Sequence, residues 1–153
     1  MLVIEGIPAA MVLLVWEEAR PWVARALEIE GGHFAEEDIR AALLSRDMQL
    51  WVVRAAENPA SAAPDAGRRI RGILVTEIVR YPRRTVCRLV LAGAEDGARA
   101  EWLAWRPLID AWARANGCDL VELYGRPGWA RLLPWATRRL VLQWAPEPME
   151  KME

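Results

Sequence analysis

The stretch Ala92-Gly93-Ala94-Glu95-Asp96-Gly97-Ala98-Arg99 has the makings of an anion site. Its small and polar residues turn the chain, and a helical pattern begins at Glu101. Such a turn aims backbone N–H groups and a helix N-terminus at one spot, where both favour negative charge. Two carboxylates lie in apolar surroundings nearby in the pattern. Glu77 interrupts Val75-Thr76-Glu77-Ile78-Val79, and Glu122 interrupts Val121-Glu122-Leu123. By strand alternation each either faces solvent or is desolvated, and desolvation is what makes a carboxyl group hold its proton more tightly. Cys87 is a nucleophile by type. The single histidine, His33, sits between Gly32 and Phe34 at a predicted helix start, so no base is expected beside Cys87. One histidine and no CxxC pair leave no metal-ligand cluster in the pattern.

The elements that must position these groups follow from periodicity. Thr85 to Leu91 is short, β-branched and apolar, as a buried strand is. Glu101 to Asn116 places Trp102, Trp105, Ile109 and Trp112 on one helical face. Asn116-Gly117 ends that helix, and Cys118 to Tyr124 is a second apolar strand. Two strands joined by a helix predict a right-handed crossover with parallel pairing. Upstream, Leu2 to Ile7 reads as a strand closed by Pro8. Ala9 to Glu30 reads as helical, with Pro21 marking a kink or a break and Gly31-Gly32 the stop. Ala35 to Arg46 is a second helix with Glu36, Glu37 and Asp38 at its favourable end. Gln49 to Ala56 is a strand, 58–68 a Pro/Ala/Ser/Gly-rich loop, and Arg69 to Arg80 a long strand. Tyr81-Pro82-Arg83-Arg84 is short enough to turn that strand back antiparallel into Thr85. Tyr124 to Gly128 is a turn, Trp129 to Trp135 a short helix, and Arg139 to Trp144 a last strand. Only the pair joined by the central helix is parallel. The switch from antiparallel to parallel pairing is where strands part and admit a ligand, by analogy with other open sheets.

Length and charge narrow the alternatives. At 153 residues the chain predicts one domain, 1–145, with a polar tail over 146–153. The net charge of -1 and the scattered basic residues argue against a nucleic-acid partner. The apolar run from Ile7 to Trp16 is too short to span a bilayer, so no membrane partner is expected. Met1 to Glu5 lacks a basic region and a cleavage site, so no secretory signal is expected. Cys87 and Cys118 read as free thiols in a reducing cytoplasm. Tryptophans at helical spacing read as core.

The element order resembles that of the GNAT acetyltransferase superfamily over nearly the whole chain. Asp47 to Val53, Tyr81 to Arg84, Trp112 to Cys118 and Tyr124 to Trp129 resemble, more narrowly, small GNAT-like proteins of tailed phages and prophages. The resemblance implies a mixed α/β fold: a mostly antiparallel sheet of six or seven strands with one parallel pair, flanked by about four helices. It implies acetyl-CoA or another acyl-CoA as co-substrate, bound in a cleft between the Thr85–Leu91 and Asp119–Tyr124 strands, and an unknown amine as acceptor. Main-chain groups of Leu89, Val90 and Leu91 would pair with the pantetheine arm. Gly93, Gly97, Ala98 and Arg99 would hold the pyrophosphate, although Glu95 and Asp96 would repel it if both faced it. Asp96 serves equally as an N-cap. Arg126 would pair with a phosphate or a substrate carboxylate, or brace Glu122.

The family's leaving-group acid is commonly a tyrosine on the short helix after the fifth strand, and Trp129 to Trp135 holds none. Tyr124 is the candidate acid instead, with Glu77 or Glu122 the candidate base. The resemblance further implies action in the cytoplasm, the host's if the chain is phage-encoded. The competing reading is a GNAT-like protein without chemistry, held in a homo-oligomer, a virion or a complex with a phage or host protein. Trp135, Trp144 and Met149 would then form an apolar patch.

Overall fold

The computed structural model describes residues 2–56, 69–95, 105–125 and 141–146. Five strands form one sheet in chain order: β1 (Leu2–Ile7), β2 (Met48–Ala55), β3 (Ile70–Tyr81), β4 (Arg84–Ala94) and β5 (Leu120–Leu123). The first four pair antiparallel and β5 joins β4 in parallel. The helices are α1 (Val12–Glu30), entered through a single 3-10 turn at Ala9–Met11, α2 (Glu36–Ser45) and α3 (Arg106–Ala115).

Alternation along the strands feeds two cores. On one face Leu50, Val52, Ile73, Val75 and Leu91 pack under α1 and α2, which contribute Val12, Trp16, Ala19, Val23, Ala26, Ile39 and Leu43. On the other face Trp51, Leu74, Cys87 and Leu89 pack under Trp105, the residue before α3, and Ile109 and Ala113 of α3. Trp112 meets Trp51 edge to face, with ring centroids 5.4 Å apart, the geometry that aromatic quadrupoles favour. The middles of the central strands β2 and β3 are covered on both sides, and Leu50 to Val53 and Ile73 to Val75 are accordingly apolar without interruption.

Several boundaries differ from the sequence reading. α1 runs unbroken through Pro21, so of the kink or break expected there the break is absent. Pro21 lies on the exposed side, while Ala19, Val23 and Ala26 hold both halves to the same sheet face, and that burial outweighs the lost hydrogen bond. Gly31 does end the helix, in the left-handed region at φ 107°. β4 extends past Leu91 to Ala94, so Ala92-Gly93-Ala94 is strand rather than turn. Small residues are needed there because α1 lies directly on them. A Cβ on Gly93 would come 2.9 Å from the Trp22 carbonyl oxygen. β5 is confined to Leu120–Leu123.

The expected six or seven strands and about four helices become five strands and three helices among the described residues. The expected helix Trp129 to Trp135 lies outside them. Of the expected last strand, Val141 to Trp144 is described and takes no strand. No described strand pairs with it, and Val141, Leu142 and Trp144 stand exposed. The loop 58–68 also lies outside the described residues.

Candidate functional site

The parallel pair is fastened twice at its Thr85–Asp119 end. Asp119 donates its backbone N–H to the Thr85 carbonyl at 2.8 Å, and its carboxylate accepts the Thr85 N–H at 2.9 Å. From there the ladder runs Val86–Leu120, Cys87–Val121, Arg88–Glu122 and Leu89–Leu123, and stops. β4 continues from Val90 to Ala94 paired only with β3 among the described residues. Its other edge, towards β5, therefore has main-chain groups outside any described ladder.

A bulge marks the point of parting. Val75 pairs with Leu91 and Thr76 with Leu89, which leaves Val90 as the extra residue. A bulge bends its strand and re-aims the residues beyond it. Its effect is visible in the side chains: Leu89 is buried under α3, whereas Leu91, two residues on, is buried under α1. Both leucines are core, so anything they offer a ligand comes from the main chain.

Arg88 is the centre of the charged groups beside this gap. Its Nη1 donates to Glu77 Oε1 at 3.2 Å, and its Nη2 donates to the Tyr81 hydroxyl at 2.9 Å and the Tyr124 hydroxyl at 3.3 Å. The guanidinium carbon stands 4.6 Å from the Tyr124 ring centroid, over its face, a cation–π arrangement. Burial pulls the Arg88 pKa down, but Tyr124, Tyr81 and the charge of Glu77 outweigh it and hold the group above its ordinary value. Glu77 thus neither faces open solvent nor lies desolvated alone: it is the counter-ion of Arg88, with both side chains about a fifth exposed. Glu122 stands opposite Arg88 in the ladder. One of its carboxylate oxygens, Oε2, is buried with no hydrogen-bond partner among the described residues.

Arg88 thus links Glu77 and Tyr124, with Glu122 its ladder neighbour, and Leu89, Val90 and Leu91 lie on β4 where the described β4–β5 ladder ends. Gly93 lies further along β4, beneath α1. Gly97, Ala98, Arg99 and Arg126 lie outside the described residues. Sequence reasoning missed Arg88. The available signal was a charge inside the apolar run Thr85 to Leu91, at the hairpin position that faces Glu77. Cys87 is fully buried, and that burial, followed by Cys118 and Asp110 nearby, pushes its thiol up to about 12, which fits an inert core thiol. His33 pairs locally with Glu30, Nδ1 to Oε1 at 2.6 Å. Among the described residues no cluster of three or more metal-ligating side chains occurs, and no helix is long and apolar enough to cross a membrane.

No family model matches the chain, and no curated protein matches it in sequence. Solved structures do resemble it in fold. An aminoglycoside acetyltransferase from an uncultured soil metagenomic sample superposes with a TM-score of 0.63 at 17% identity, over 98% of this chain and 99% of that one. The ribosomal-protein-alanine N-acetyltransferase of Brucella melitensis biovar Abortus 2308 gives a TM-score of 0.59 at 11% identity, over 94% and 100%. A predicted acetyltransferase from Clostridium acetobutylicum, solved with acetyl-CoA, gives 0.58 at 12%, over 95% and 96%. The mixed sheet with its one parallel pair is thus a GNAT-like fold along nearly its whole length.

Proposed function

We propose that this chain is an acyl-CoA-dependent N-acyltransferase that works at the gap between β4 and β5. The observation that carries the reading is the run of β4 from Val90 to Ala94 past the end of the β5 ladder, with the Val90 bulge at its start. Free main-chain donors and acceptors on an extended edge suit an extended amide-bearing ligand, which adds to a sheet as another strand does. The pantetheine arm of acyl-CoA is such a ligand. On the family resemblance, Gly97, Ala98 and Arg99 are the candidates for the pyrophosphate, and Arg126 for a phosphate or a substrate carboxylate.

The chemistry assigned to the gap is acyl transfer. The acceptor amine attacks the thioester carbonyl carbon, the C–S bond breaks, and an amide and free CoA thiol result. Glu122 takes the proton from the amine, because one of its oxygens has no other partner among the described residues and Glu77 is occupied by Arg88. Tyr124 gives its proton to the departing thiolate. The phage or prophage affiliation rests on the sequence resemblance, and the cytoplasmic place of action on that resemblance and on the two free cysteines; both belong to the same proposal.

Calorimetry with acetyl-CoA tests the reading. Binding heat is expected, and Gly97→Trp should abolish it. Thiol release from acetyl-CoA should then rise with one of a panel of primary amines, namely sisomicin, spermidine and a peptide beginning with alanine. No heat at millimolar acetyl-CoA would replace this reading with that of a scaffold without chemistry.

A further inference from the structure

We infer that Arg88 is a positioning residue that sets the direction of the Tyr124 hydroxyl; the inference rests on the acyltransferase reading above. The chain has only two tyrosines, and both hydroxyl oxygens accept hydrogen bonds from Nη2 of this one guanidinium. Arg88 has no hydrogen-bond acceptor, so in every hydrogen bond it makes it is the donor. A phenol oxygen that accepts from Arg88 keeps its own O–H free to donate elsewhere. For Tyr124 that leaves the hydroxyl proton available to the departing CoA sulfur: the O–H bond breaks as the S–H bond forms, and the phenolate left behind stays beside a fixed cation until the solvent returns a proton.

Tyr124 needs such a support. It comes after Leu123, the last residue of β5, so no described ladder bond holds its backbone, and its side chain is about half exposed. What fixes it is the Arg88 fork beneath its ring and against its oxygen. Arg88 is in turn fixed from β3: Glu77 binds Nη1 and Tyr81 binds Nη2. The chain of contacts from Glu77 through Arg88 to Tyr124 runs from β3 across β4 to the residue that follows β5, and Arg88 spans the join. A lysine carries the charge but not the planar fork, and cannot serve Glu77, Tyr81 and Tyr124 together.

The test uses the full chain with Arg88→Lys, Arg88→Met and Tyr124→Phe. Biosynthetic 3-fluorotyrosine labels only the two tyrosines. In the unsubstituted protein both fluorine signals should be displaced from the free amino acid, and Arg88→Met should move both towards it. Acetyl-CoA heat should persist in Arg88→Met, whereas kcat for thiol release with the amine panel should fall on the order of 100-fold, the scale of a misplaced reacting group. Arg88→Lys should not restore it, and combining Arg88→Met with Tyr124→Phe should cost no more than the worse single change. Unmoved fluorine signals, an unchanged kcat, rescue by lysine or multiplicative losses each overturn the role of Arg88 while acetyl-CoA heat leaves the acyltransferase reading standing. Absence of that heat from the unsubstituted protein overturns both.

Discussion

Replacing Gly93 with alanine isolates a single steric demand. The position lies in regular strand geometry, so an alanine there meets no backbone penalty. A Cβ at this site would sit 2.9 Å from the Trp22 carbonyl oxygen and 3.6 Å from the Ala26 Cβ. The first contact is with helix backbone, which cannot swing aside as a side-chain tip does, so α1 must lift from β4. Overpacking of this sort costs about 1–3 kcal/mol. Against it stands a gain of about 0.4–1 kcal/mol, because alanine leaves the unfolded chain fewer conformations than glycine does. The net expectation is a loss of about 1–2 kcal/mol. For a chain of this size that lowers the melting temperature by roughly 2–8 °C.

Urea titration and thermal melting of Gly93→Ala and Gly93→Val would measure it. Valine is the sharper probe: strands favour it, yet its larger side chain should destabilise further here. An alanine variant as stable as the parent would refute the packing argument. So would an unchanged melt combined with lost acetyl-CoA heat, since Gly93 would then serve close approach of the ligand rather than of α1.

The buried polar groups lead to two more expected outcomes. Trp51 Nε1 donates to the Thr76 hydroxyl at 3.0 Å, and that hydroxyl donates to Gln49 Oε1 at 3.0 Å; Thr76 is the one fully buried polar residue among those described. Thr76→Val keeps the shape and strands the indole N–H, so it should cost about 1–3 kcal/mol in urea unfolding. Cys87 governs an alkaline response. Its thiol ordinarily titrates near 9.0 and is held up to about 12 in the fold, chiefly by burial. Between those values the unfolded chain releases a proton that the folded one keeps, so this contribution to stability is complete below 9.0 and falls as pH rises towards 12. Cys87→Ala should show an alkaline decline shallower by up to about 1.4 kcal/mol per pH unit. Equal slopes in urea titrations spanning roughly pH 9 to pH 10.5, inside that window, would contradict the burial argument.

Much of the scaffold was legible because burial writes itself into spacing. The strands Leu2 to Ile7, Gln49 to Ala56 and Arg69 to Arg80 show it, as does the hairpin at Pro82-Arg83. Each was visible to within a residue or two, since one apolar face per element is a local property. At Pro21 the break, one of the two outcomes expected there, does not occur, for the opposite reason. A local rule predicts a break, and contacts with residues far along the chain override it. The end of β4 was misplaced for a related reason: Ala92-Gly93-Ala94 has the composition of a turn, but those residues are small to make room for α1, which lies far upstream in sequence.

The candidate site divides in the same way. Tyr124, Glu77 and Glu122 were identifiable as polar residues at strand positions, since residue type and alternation need no partner to be read. Arg88 was not, because its meaning is relational. Only strand pairing puts it opposite Glu77 on one side and Glu122 on the other, within reach of both tyrosines. By itself, then, the order of amino acids determined which segments bury a face, and hence the succession of strands and helices. Tertiary structure alone decided where the parallel ladder ends, where Val90 bulges and which charges meet there, because register and side-chain convergence are set by contacts between segments that no local pattern encodes.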